Sequence, residues 1–120
     1  MASKMKTEVL KGETLDKLEI RLGRVMSVEE AVGVPKKSYL LKVDFGKFGS
    51  RVSVGRFTNH TKEELIGQLV LGVLNLGTVS IGSIDSEVLI LGVQFPKEDS
   101  GEATFITPSN TKAKIGGKLF

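Results

Sequence analysis

Leu18, Ile20 and Leu22 alternate with Glu19, Arg21 and Gly23, a period of two that predicts a half-buried strand with one polar face. The alternation loses its phase through Val25, Met26 and Val28, so Gly23 is expected to mark a bulge or sharp bend. Tyr39, Leu41, Val43 and Phe45 alternate with Ser38, Leu40, Lys42 and Asp44 and predict a second strand that stops at Gly46. Val52 and Val54 against Arg51 and Ser53 predict a third, and the short link 46–49 makes the pair a hairpin. Within NHTKEELIGQ, Thr61 and Glu64 have the spacing of a capping box and Gly67 supplies a stop, which predicts one short helix.

The run LVLGVLNLGTVSIGSIDSEVLILGV, residues 69–93, carries only two charged side chains, Asp85 and Glu87. It reads as two core strands, 69–76 and 88–93, apolar on both faces and connected by the Gly/Ser-rich link 77–86. A last short strand is expected over 103–107, ended by Pro108. Curved strands with one short helix between the third and fourth describe an all-β chain, an OB-fold five-stranded Greek-key barrel.

Composition narrows the function. A chain of 120 residues with 40% hydrophobic and 26% charged content suits one domain with one core. The apolar run is no membrane span, because Asn75, Thr78, Ser80, Ser83, Asp85, Ser86 and Glu87 interrupt it. The N-terminus has lysines but no apolar signal core, so a cytoplasmic protein without membrane insertion is expected. The absence of cysteine removes disulfides, thiolate metal sites and a cysteine nucleophile. With one histidine and no G-x-S-x-G elbow, no catalytic residue, metal site or cofactor is expected. Ile115, Gly116, Gly117 and Lys118 lack the spacing of a phosphate loop, and the neighbouring carboxylates Glu29 and Glu30, or Glu63 and Glu64, point apart. A net charge of +3 allows an anionic partner without requiring one.

LDKLEIRLGRV, NHTKEELIGQ, VLNLG and above all SEVLILG occur in an order and spacing that resemble the OB-fold tRNA-binding proteins. These are the homodimeric CsaA-like proteins and the tRNA-binding domains appended to methionyl- and phenylalanyl-tRNA synthetases and to endothelial-monocyte-activating polypeptide. The resemblance covers residues 14–117 and implies a non-catalytic domain at 14–120, preceded by an N-terminal extension at 1–13. It implies tRNA as partner and a homodimer. The alternative that it carries is an export chaperone of the CsaA type, holding an unfolded or export-client protein on apolar surface of a dimer. One departure weakens the RNA implication: the link that is usually basic and proline-containing reads GTVSIGSID here, without Lys or Arg. The third strand also ends in Val54 and Gly55 instead of serine-glycine.

The candidate RNA-binding residues fall in four groups. Arg21, Lys42 and Arg51 occupy the non-core parity of the first three strands and are expected to share one face. Lys36 and Lys37 sit in the loop VPKKSY, where OB-folds contact oligonucleotides. Arg56, Asn59, His60 and Lys62 surround the helix start, where free backbone N–H groups favour a phosphate. Asn75 and Ser86 match family positions, although their pattern alone reads as turn hydrogen-bonding. Phe48 and Phe57 are the aromatic candidates for base stacking, with Phe57 also readable as a core lid. Ile115, Leu119 and Phe120 put apolar side chains at the C-terminal end, which predicts docking either onto the barrel itself or across a two-fold interface, and the resemblance implies the second.

Overall fold

The computed structural model describes residues 3–96 and 101–120, so the first two residues of the expected N-terminal extension lie outside the described residues. Five antiparallel strands run in the order β3 (Ser50–Gly55), β2 (Tyr39–Asp44), β1 (Ile20–Glu30), β4 (Leu69–Val73) and β7 (Leu89–Ile90). The sheet curls until its ends meet. Glu87 N donates to Val52 O at 2.8 Å, Val52 N donates to Glu87 Oε1 at 2.9 Å and Val54 N donates to Ser86 Oγ at 3.1 Å. The outcome is the expected OB-type barrel, with α1 (Lys62–Leu65) between the third and fourth strands. Thr61 and Glu64 form the reciprocal capping box, and Gly67 follows at φ 87°, where glycine is favoured.

The first strand departs from its simplest reading. Its bulge lies between Val25 and Ser27, not at Gly23. Gly23 instead marks a close approach, because a Cβ there would lie 2.6 Å from Val43 Cγ1 and 2.7 Å from Phe45 Cε1. Gly23 and Val25 therefore face the interior, while Ile20 and Leu22 are buried on the opposite face. Leu22 lies there with Leu71, Ile106, Pro108 and Leu119, beneath the C-terminal segment. The core proper comprises Val25, Val28, Tyr39, Leu41, Val43, Phe45, Phe57, Leu65, Val70, Leu74, Val88 and Ile90.

The apolar run is also more articulated than two strands and a link. The link folds into its own hairpin, β5 (Val79–Ile81) with β6 (Ile84–Ser86), turning at Gly82. The strand expected over 88–93 breaks at Leu91 into β7 and β8 (Gly92–Gln94), and β8 pairs with β9 (Ala103–Phe105). Leu89 and Val93 are exposed, so this strand is not apolar-covered on both faces as its composition implied.

Residues 116–119 add to the free edge at the start of β1. Gly116 N donates to Leu22 O at 2.7 Å, Leu22 N donates to Gly117 O at 2.9 Å, and Leu119 N donates to Ile20 O at 3.0 Å. This covers an edge that β2 leaves open, since β2 pairs with β1 only from Arg24 onward.

Candidate nucleic-acid interface

Cross-strand register decides which cations share a face. Arg51 pairs with Val43 and Ser53 with Leu41, so Arg51 and Ser53 take the interior parity of β3, while Val52 and Val54 point the other way. Arg21 likewise shares parity with the inward Gly23. Lys42, paired with Val52 and Ser27, faces outward. The expected trio is therefore split: Arg21 and Arg51 reach one open end of the barrel from the inner face, and Lys42 belongs to another surface.

Phe48 sits at that end. The Arg21 guanidinium lies 4.5 Å from the centre of its ring, donates to Gly116 O at 3.3 Å and pairs with Glu19 Oε2 at 3.1 Å. Stacking and two partners hold this arginine in one orientation. On the ring's other neighbourhood is a recess of about 390 Å³ shared by Phe48, Arg51, Leu74, Asn75 and the segment 16–19. Asn75 is no local turn residue there. Its Oδ1 accepts from Glu19 N at 2.7 Å and its Nδ2 donates to Lys17 O at 2.8 Å, which pins the approach to β1 against the end of β4.

Around the helix start, Arg56 and His60 are tied into the fold by side-chain contacts. Arg56 Nε donates to Glu102 Oε2 at 2.9 Å, and Thr58 Oγ1 donates to Glu102 Oε1 at 2.6 Å. Burial pushes the Glu102 carboxyl up, but the hydrogen bonds from Thr58 and Arg56 outweigh it and hold the group below its ordinary value. His60 is clamped through Nε2 to Thr104 Oγ1 at 3.0 Å and through Nδ1 to Glu64 Oε2 at 3.5 Å, with its ring centre 5.2 Å from that of Phe105. The helix start offers no vacant donor at Glu64, whose N–H is taken by Thr61 Oγ1 at 3.1 Å. The Thr61 backbone bond, then its hydroxyl and His60, keep the Glu64 carboxyl below its ordinary value. Lys62 lies 3.9 Å from Glu30, and Asn59 is exposed. Tyr39, whose phenol is pushed up by burial and then by Glu30, Glu63, Glu102 and Glu64, stays a donor to His60 O at 2.8 Å.

Lys36 and Lys37 are exposed at the β1–β2 loop tip. Ser86 is buried and serves barrel closure. Phe57 is core and unavailable for stacking. Ile115 packs against Gly46, Leu119 is 37% exposed, and Phe120 is 97% exposed. The pattern reading missed Lys17, Lys47, Lys114 and Lys118, which the fold brings to the Arg21–Phe48 end. A signal existed: residues 103–120 carry three lysines and no Asp or Glu. Among the described residues, no group of three or more His, Cys, Asp or Glu could hold a metal, and no helix is long and apolar enough to cross a membrane.

Residues 20–117 match the family model of the tRNA binding domain. The chain belongs to this family. As a tRNA binding domain it resembles the methionine–tRNA ligases of Archaeoglobus fulgidus, at 34% identity over 80% of the chain, and of Pyrococcus horikoshii, at 28% over 93%. The chain spans only 14% and 15% of the length of those ligases. Among solved structures, the CsaA chaperone protein from Picrophilus torridus superimposes with a TM-score of 0.83 at 28% identity, covering 93% of this chain and all of that one. The chaperone CsaA from Bacillus anthracis gives 0.78 at 29% identity, covering 94% and 100%. The chain thus covers the whole of these two chaperone chains and only a small part of the ligases.

Proposed function

We propose that this chain is a non-catalytic, cytoplasmic tRNA-binding module that works as a homodimer and attaches to folded RNA by charge and shape. The observation that carries the reading is the family match over residues 20–117. The basic barrel end around Arg21, Arg51 and Asn75 supports placing the contact there. Lys36, Lys37 and Lys42 are flanking positions that add electrostatic reach. Ser86, Arg56 and His60 contribute by shaping the barrel, not by touching RNA. Phe48 is already covered by Arg21, and few aromatic rings are open, which favours backbone and shape recognition over base stacking. Ile115 packs against Gly46 of its own chain, so the dimer forms through Leu119 and the exposed Phe120, which doubles the basic surface offered to one RNA.

The experiment is a gel-shift titration with total tRNA at several salt concentrations. With about three to five phosphate contacts, log K falls against log salt with a slope of about −2 to −4. Replacing Arg51 by Gln lowers the slope magnitude by about 1. No shift at low salt with micromolar protein refutes the reading.

A second reading, capture of an unfolded or export-client protein, is favoured by a separate observation. Leu76, Val79 and Leu89 are exposed around an apolar recess of about 220 Å³ beside the hairpin, which carries no Lys or Arg. Failure of the tRNA titration together with suppression of client aggregation would favour it.

A further inference from the structure

The C-terminal segment and the turn Gly46–Phe48 enclose a recess of about 480 Å³ next to Arg21. Arg21, Lys47, Lys114 and Lys118 line it, along with Ile115, Gly116 and Gly117, and no carboxylate side chain is among its described lining residues. The cations come from β1, from the turn after β2 and from the C-terminal segment, so only the fold assembles them. Arg21 has a counter-charge in Glu19, whereas Lys47, Lys114 and Lys118 make no ion pair among the described residues. Like charges around one opening repel each other, and all of them attract an anion that enters.

The backbone that carries these cations is held in place before any ligand arrives. Gly116 has φ 83°, and a Cβ there would lie 3.0 Å from Phe45 O; a Cβ at Gly117 would lie 2.7 Å from Lys114 O. Two glycines therefore let the segment lie flat on β1 and carry Lys114 and Lys118 to the same opening as Lys47. The three backbone bonds to Ile20 and Leu22 hold it there. The backbone therefore needs no reordering on binding, and the entropy cost is confined to the exposed side chains of Lys47, Lys114 and Lys118.

We infer that this recess is a phosphate-binding site and that its ligand is a backbone phosphodiester of the RNA, an assignment that rests on the tRNA reading above. At about 30 Å³ per water, 480 Å³ accommodates a phosphate group with several waters. At the Phe48 ring a nucleotide base would have to compete with Arg21, 4.5 Å from the ring centre, and with Lys47, 5.6 Å from it. Phe48 lines the recess of Arg51 and Asn75 and stacks on Arg21 of the cationic recess, so the two recesses are neighbours across this stacked pair and a sugar-phosphate chain can follow from one to the other. The site supplies cationic contacts that the uncharged link 77–84 does not.

The test uses the intact, isotope-labelled chain in NMR titrations with inorganic phosphate and with total tRNA, alongside the double variant Lys114→Gln/Lys118→Gln. A control variant, Lys4→Gln/Lys6→Gln, removes the same charge elsewhere. Phosphate is expected to shift the amides of Lys47 and residues 114–118 in a saturable way, and the double variant to need about tenfold more phosphate. Its tRNA salt slope is expected to fall in magnitude by about 1 to 2, against a smaller change in the control. Equal phosphate responses in parent and double variant overturn the site. An unchanged slope in a parent that binds tRNA overturns its role in RNA contact and leaves the tRNA reading intact. Phosphate shifts in a parent that binds no tRNA overturn the RNA assignment and leave a site for a free phosphate ion.

Discussion

Arg56 offers a sharp separation of structural from RNA-binding charge. Its replacement by Gln leaves Glu102, whose side chain is 9% exposed, with Thr58 as its remaining identified donor. Removing one partner of a fully buried ion pair costs about 3–5 kcal/mol. Arg56 is itself 27% exposed and Thr58 remains, so solvent and a neutral donor recover roughly half, leaving about 2 kcal/mol. In a domain of this size that lowers Tm by about 8 °C. The pH dependence has a definite sign. The Glu102 carboxyl is held below its ordinary value of 4.5, so it contributes stability above that pH and loses the contribution as pH falls through its folded-state value. The Tm gap between parent and variant is therefore wide at pH 7 and narrows below about pH 4, which thermal unfolding followed by circular dichroism at both pH values measures. The double variant Arg56→Met/Glu102→Met recovers most of the loss, because no buried charge is stranded. Below its Tm the Arg56→Gln protein binds tRNA like the parent. An unchanged Tm with weakened tRNA binding would refute this account and make Arg56 an RNA ligand.

Gly72→Ala places a methyl 2.6 Å from Phe45 Cζ and 2.9 Å from Val88 Cγ2, and this overpacking costs about 1–3 kcal/mol in urea unfolding; an unchanged midpoint contradicts the packing argument. Ser86→Ala removes the acceptor of Val54 N–H and loosens barrel closure by about 1–2 kcal/mol, visible as faster hydrogen exchange at that amide. Unaltered protection there means closure rests on Glu87 alone. Light scattering of the intact chain gives a dimer and of a truncation after Gly117 a monomer; a truncation that stays dimeric removes Leu119 and Phe120 from the interface.

The sequence by itself determined the local devices and the family. Alternation in 39–45 specified β2 because side chains on a strand project with a period of two, whatever the strand packs against. The Thr61–Glu64 capping box was equally legible, since all its atoms lie within one turn. The ordered motifs from LDKLEIRLGRV to SEVLILG carried the family resemblance without any knowledge of contacts.

Only the tertiary structure decided which face of β1 and β3 is inside. Val52 and Val54 look like core, yet β3 turns Ser53 and Gly55 inward, and a Cβ at Gly55 would lie 2.6 Å from the Phe57 ring. Val54 is accommodated on the outside because the hairpin of Val79 and Ile81 folds over it. Ile20 and Leu22 look like one side of a simple strand, but the bulge at Met26 changes phase, and the C-terminal segment buries what would have been their exposed face. The cationic recess followed the same rule: Lys47, Lys114 and Lys118 are unremarkable in sequence and become neighbours only when Gly116 and Gly117 dock on Leu22. Periodicity reports relations between residues a few positions apart, whereas these choices depend on backbone contacts that join β1 and β2 to the distant C-terminal segment, and no local pattern encodes that meeting.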